Sequence, residues 1–233
     1  MLNQFSRTQL LIGKDALQKL KGSRVAVFGI GGVGGYVCEA LVRSGIGAFD
    51  LVDDDRVCLS NLNRQIIATH KTIGKYKVEA MKERMLEINP DVDVRIHPCF
   101  FLPENADDFP FEEYDYVVDA VDTVTAKLEI IMRAKEKGIP VLGIVNVVGS
   151  SIARESDYCL YTYAGPEISV ATTKAYSAQL IVSYLLAIKL GRVKGLISQE
   201  KEEEYIAEME TLPEKIEKTL EDKERIQIGR AHV

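Results

Sequence analysis

Apolar positions along this chain gather into short runs, each closed by glycine, acidic residues or proline. Arg24 to Phe28, RVAVF, predicts a strand, and Gly29, Gly31, Gly32 and Gly34 follow at once. Such a turn lets the backbone double back tightly and leave amide groups uncovered. Val33, Val37, Ala40 and Leu41 then recur at helical spacing, which predicts a helix whose N-terminus and dipole face the glycines. Ala48 to Val52 predicts a second strand ending at Asp53. Val78, Met81, Met85 and Ile88 predict a helix stopped by Asn89-Pro90. Val92 to His97 alternates as a third strand, and Phe100 to Tyr114 reads as an acidic, proline-punctuated loop. Tyr116 to Val121 reads as a central parallel strand, with a helix over Thr123 to Lys137.

Outside this alternation, Met1 to Lys21 reads as a polar lead into one short helix carrying Leu10, Leu11, Leu17 and Leu20. Thr172 to Leu190 predicts an apolar helix interrupted by Gln179, Ser183, Tyr184 and Lys189, hence a core or interface helix and not a membrane span. Ser198 to Arg225 predicts a pair of amphipathic helices with a solvated charged face. The expected fold is therefore α/β: a three-layer, Rossmann-like, mostly parallel sheet with helices on both faces and a helical C-terminal extension.

Phosphate is the natural ligand for a glycine turn that opens a helix. Asp53 stands about where a carboxylate would bond a ribose hydroxyl, so the strand, turn, helix, strand and acid together resemble a dinucleotide fingerprint, and an NAD-dependent oxidoreductase is one reading. A second begins after the acid. Asp53, Asp54 and Asp55 are followed by Ser60-Asn61-Leu62-Asn63-Arg64-Gln65, an amide-rich loop and a guanidinium that a nicotinamide site leaves unexplained. The turn G-x-G-G-x-G, the D-x-D and the S-N-L-x-R-Q resemble the ATP-binding half of the ubiquitin-activating-type (ThiF/HesA-like) adenylyltransferases, from about Phe5 to Val141. Within them, the RSGIG and the V-C before N-x-N-R-Q are most similar to the tRNA threonylcarbamoyladenosine dehydratases.

That resemblance implies roles for particular residues. Gly29, Gly31, Gly32, Gly34, Asp53, Asp55 and Asn61 would hold ATP. Arg64 and Lys77 would reach its phosphates, Asp122 would hold Mg²⁺, and Arg7 would cross to the ATP site of a partner subunit in a homodimer. Read from the residues alone, Arg7 is equally a solvated helix-start arginine, Lys77 is a surface charge, and Asp122, at the carboxyl end of its strand, suits Mg²⁺, the N-cap of the following helix, or both. The implied chemistry is activation of a carboxylate as an acyl-adenylate, in the dehydratases on a modified tRNA.

Composition narrows the partners. A net charge of −6 over 233 residues argues against bulk electrostatic binding of nucleic acid. Cys38, Cys58, Cys99 and Cys159 form no C-x-x-C pair, so reduced, mostly buried thiols in a cytoplasmic protein are expected. No apolar run reaches membrane length.

From Val141 the pattern changes. VLGIVNVVGSSIARESDYCLYTYAGPEISVATTKAYSAQL resembles part of the sugar-isomerase (SIS) region of glutamine-fructose-6-phosphate aminotransferase, over about residues 141–226. Two regions are therefore expected, an adenylyltransferase-like one over 1–140 and a sugar-isomerase-like fragment over 141–226. A chimeric join falls near Lys137 to Val141, and 227–233 form a non-native-looking tail. In that region Val147 would be a backbone contact, Ser150, Ser151 and Glu167 read as turn and cap residues, and a sugar-phosphate-binding fragment without full activity is the alternative function.

Overall fold

The computed structural model describes residues 3–166, 168 and 174–221. Two compact units make up the chain: residues 1–142 with 149–158, and residues 143–148 with 159–233. The tail and Glu167 lie outside the described residues.

In the first unit four strands form one parallel sheet in the order β3-β2-β1-β4, comprising β1 Arg24–Phe28, β2 Ala48–Val52, β3 Asp93–His97 and β4 Tyr116–Asp119. Alternation on β1 divides the core: Val25 and Val27 join one apolar cluster, Ala26 and Phe28 the other. Helices α3 (Gly34–Ser44) and α4 (Lys77–Ile88) cover the first face through Cys38, Val42, Val78, Met81 and Met85. Helix α5 (Val124–Glu136) covers the second through Ala126 and Ile130. The three-layer expectation holds.

Several details differ. The first residues form two helices, α1 Ser6–Ile12 and α2 Lys14–Gly22, because Gly13 between them takes φ +84°; Leu17 is buried, whereas Leu10 and Leu11 are exposed. Helix α3 buries Cys38 and Val42 with Leu41 packed beside them, and the predicted Val33 and Ala40 face outward; its first turn approaches closely at Gly34, against Gly29 and Ala120, and at Gly35, against Ile66. Strand β4 is an edge of its sheet, with Tyr116 and Asp119 exposed, and not central. Segment 100–114 is no plain loop. It folds over the sheet in two 3₁₀ turns, Pro103–Asp108 and Phe111–Glu113, and inserts Phe101, Phe109, Phe111 and Tyr114 around Phe28, whose ring lies 4.7 Å from that of Phe101. Of the four cysteines, all reduced, only Cys38 is buried and Cys58 is exposed.

Beyond α5, β5 (Leu142–Val145) and β6 (Tyr158–Tyr161) pair in a separate two-stranded sheet, and α6 (Ser151–Glu155) starts on Ser150, whose hydroxyl accepts Ala153 N–H at 3.3 Å. The cap reading of Ser150 is thus correct. Helices α7 (Lys174–Val193), α8 (Gln199–Glu210) and α9 (Leu212–Glu221) follow, with Ala175 and Val182 buried on α7. No helix among the described residues is long and apolar enough to cross a membrane.

One charge is buried inside the sheet. Asp50 on β2 has no solvent exposure and accepts from Arg24 Nη1 at 2.7 Å, with His97 Nε2 at 2.9 Å. Burial pushes its carboxyl pKa up, but hydrogen bonds and charge from His97 and Arg24 outweigh that and hold it below its ordinary value of 3.8. Removing one partner of such a set strands the others. We expect Asp50→Ala to lower unfolding free energy by about 3–5 kcal/mol in urea titrations at neutral pH. Because the folded pKa is depressed, the contribution is complete above about pH 4 and is lost as pH falls through the folded value. An unchanged urea midpoint would refute the assignment.

Candidate functional site

The sheet order reverses direction between β1 and β4, and both strands end at the same edge. In an open parallel sheet that edge is where a crevice forms. A cleft of about 510 Å³ opens there, between the glycine loop after β1, the 53–55 turn after β2, the 61–65 turn, and residues 120–123 after β4.

Two of the glycines serve packing. A Cβ on Gly29, which has φ +90°, would lie 2.4 Å from Ala120 O, and one on Gly34 would lie 1.8 Å from Gly29 O. Neither approach admits a side chain. Gly31 and Gly32 differ: a Cβ there would meet nothing nearer than Gln65 Nε2 at 4.0 Å and Arg64 O at 3.8 Å respectively. Their backbone borders the cleft, as does Gly29, whereas Gly34 lies behind it.

Asp53 locks this loop. Its Oδ2 accepts Ile30 N–H at 2.6 Å and its Oδ1 accepts Asp55 N–H at 2.9 Å. Burial pushes its carboxyl above the ordinary value, against lowering by the Ile30 N–H and the Lys77 charge. A ribose hydroxyl would have to share an oxygen already bonded to the main chain. Lys77 opens α4 with its side chain buried; Nζ lies 2.5 Å from Asp55 Oδ2 and 3.6 Å from Asp53 Oδ1. Lys75, by contrast, pairs with Glu83 at the surface.

Asn61 is buried and accepts Cys58 N–H at 3.0 Å, which fixes the 58–61 turn. Arg64 folds back, donating from Nη1 to Ser60 O at 2.8 Å and to Asn63 Oδ1 at 3.1 Å. Thr123, not Asp122, occupies the N-cap of α5. The Asp122 carboxylate borders the cleft with no ion-pair or hydrogen-bond partner among the described residues.

Ten of the eleven predicted residues were tied to this cleft within one chain, and nine of them line it: Gly29, Gly31, Gly32, Asp53, Asp55, Asn61, Arg64, Lys77 and Asp122. Arg7, predicted to act in a partner's site, is exposed on α1 and does not line the cleft of its own chain. Sequence reasoning missed an apolar wall of Cys99, Phe100, Phe101, Val121 and Ala126, because the paired phenylalanines sat in a stretch read as loop. It quoted Gln65, buried beside Gly31, without giving it a role.

Glycine backbone, an ammonium, a guanidinium, a carboxylate and an apolar wall suit a ligand with phosphates at one end and a ring at the other. Among the described residues no cluster of three His, Cys, Asp or Glu side chains could hold a metal. Magnesium is usually held by one or two carboxylates plus substrate phosphates, so Asp122 fits an ion that arrives with a triphosphate and no protein-only cage is present.

Fold and cleft together define a Rossmann-like α/β domain with a crevice at the switch point of its parallel sheet. The chain belongs to the ThiF family, whose model matches residues 5–183 and so runs past the change of pattern at 141. It is 44% identical over 142 residues to a tRNA threonylcarbamoyladenosine dehydratase of Bacillus subtilis (strain 168), covering 61% of this chain and 56% of that protein. A crystal structure of E. coli tRNA N6-threonylcarbamoyladenosine dehydratase in complex with ATP superimposes with a TM-score of 0.58 at 40% identity, covering 60% of this chain and 58% of that one. A glutamine–fructose-6-phosphate aminotransferase of Caldanaerobacter subterraneus subsp. tengcongensis is 50% identical over 164 residues, 66% of this chain but 24% of its own length. The chain thus spans about half the length of the dehydratases it matches.

The division among the glycines is directly measurable. Gly34→Ala should cost at least about 3 kcal/mol, since a backbone carbonyl occupies the space. Gly31→Ala should stay within about 1 kcal/mol of the parent. Equal losses in urea titrations would show that the two positions share one packing role.

Proposed function

We propose that this chain binds ATP with Mg²⁺ in the cleft and transfers the adenylyl group to a carboxylate. A carboxylate oxygen attacks the α-phosphorus, the bond from that phosphorus to the β-phosphate oxygen breaks, and pyrophosphate leaves with the electron pair. The observation that carries the reading is the convergence of Gly31, Arg64, Lys77 and Asp122 on one cleft. Each supplies what that step needs. Backbone amides orient the phosphates, and Arg64 and Lys77 neutralise charge gathering on the leaving pyrophosphate. Asp122 would hold Mg²⁺, which supplies further neutralisation when bound. For this to happen Arg64 must exchange Ser60 O, and Lys77 must share Asp55, for phosphate oxygens.

The acyl substrate we infer is the threonylcarbamoyl carboxylate on a tRNA adenosine. Internal attack on the activated carbonyl would then close a ring, with AMP released and net loss of water from the substrate. Likeness to the dehydratases supports this. A homodimer in which Arg7 reaches the partner's cleft, and a cytoplasmic setting, belong to the same reading. So does the two-part organisation, with 141–226 as a sugar-isomerase-like fragment joined near Lys137 to Val141. A second reading, sugar-phosphate binding by that fragment, is favoured only by the aminotransferase likeness.

Calorimetry against ATP with Mg²⁺, NAD and fructose 6-phosphate separates the classes, with heat expected for ATP. Arg64→Ala should abolish exchange of labelled pyrophosphate into ATP while leaving the circular dichroism spectrum unchanged. Undiminished exchange would remove Arg64 from the site. Mixing Arg7→Ala and Arg64→Ala chains should recover part of the exchange, because one site of each mixed dimer is then complete; no recovery counts against the crossed arginine.

A further inference from the structure

Gln65 ends the turn that packs on the glycine loop, and no contact described so far uses its side chain. The residue is 6% exposed. Its backbone is fixed, with N–H donating to Asn61 O at 2.9 Å and the carbonyl accepting Ala68 N–H at 3.0 Å. The side-chain amide is not: Oε1 is buried without a partner, and Nε2 donates to nothing among the described residues. A buried acceptor without a partner, as Oε1 is, is rare because it forfeits its bond to water. Nε2 is also the nearest atom to the inner side of Gly31, 4.0 Å from where a Cβ would sit, and the residue borders the cleft.

We propose that Gln65 is a positioning residue whose Nε2 donates a hydrogen bond to an oxygen of the phosphate lying against Gly31. This deepens the adenylyl-transfer reading and rests on it. The cleft's charged donors are committed at rest, Arg64 to Ser60 O and Lys77 to Asp55. Gln65 has no internal bond to give up, so its donor is available to an entering phosphate without rearrangement. The absence of a side chain at Gly31 leaves the gap that phosphate would fill. A neutral donor adds direction without adding charge, so its effect falls on binding more than on the chemical step.

The test uses the full chain and two variants of matching size. Gln65→Met removes the donor and should raise KM for ATP in pyrophosphate exchange about tenfold, with kcat changed less than about threefold. Gln65→Glu replaces the donor by a carboxylate oxygen and should raise KM about a hundredfold. A merely structural glutamine would lower the melting temperature without that ordering. As a readout that needs no variant activity, the Gln65 side-chain amide pair in a ¹⁵N-correlated NMR spectrum, assigned by its loss in Gln65→Met, should move when the β,γ-imido analogue of ATP is added with Mg²⁺. If wild-type protein gives calorimetric heat with that analogue and the amide pair stays still, the proposal fails and nucleotide binding stands. If wild-type protein gives no heat, both fall.

Discussion

The whole cleft hangs on one half-buried carboxylate. Asp53 stands at the end of β2, and its two oxygens tie the loop after β1, through Ile30 N–H, to the turn after β2, through Asp55 N–H. The same group lies 3.6 Å from the ammonium of Lys77 on α4. Three elements distant in sequence are thereby fixed relative to one another. Charge-assisted bonds of this sort are short and directional. The cost appears in the raised pKa of the acid, which burial drives and the amides and the lysine only partly offset.

Around that anchor the site divides its labour. Packing glycines bring helix, loop and neighbouring strand into contact, while bordering glycines leave open backbone. The cations are held on internal partners, and a carboxylate on the opposite rim has none among the described residues. Part of the apolar wall, Cys99 to Phe101, comes from the segment after β3 that also fills the second core through Phe101, Phe109 and Phe111; Val121 and Ala126 complete it from beyond β4. Core and site are therefore built from one piece of chain on that side.

Much of this was legible in the sequence, and the reasons differ from place to place. The β1–loop–α3–β2 succession was readable because a strand, a glycine cluster and a helix leave independent local signatures. The roles at Arg64, Lys77 and Asp122 came from resemblance, since a charged residue carries no local sign of where it converges. What failed to appear was tertiary. Asp53 reads from spacing as a ribose acid, and spacing gives no sign that its two oxygens also accept Ile30 and Asp55 N–H. Tyr116 to Asp119 has the composition of a central strand, and its edge position depends on which strands pair elsewhere. The face of α3 was legible only in part: Leu41 packs on the core and Val37 is half-buried, whereas the close approach at Gly34 and Gly35 is invisible to a count of apolar residues.

The contact between Gly34 and the carbonyl of Gly29 bears on how the pocket is paid for. The glycine at position 34 lets the first turn of the helix sit where a Cβ would overlap the Gly29 carbonyl, so loop and helix are packed together in the folded chain. Under the proposed function an incoming anion would meet a loop already ordered, and the entropy of arranging it would not count against affinity. Only the arginine and lysine side chains still have to rearrange.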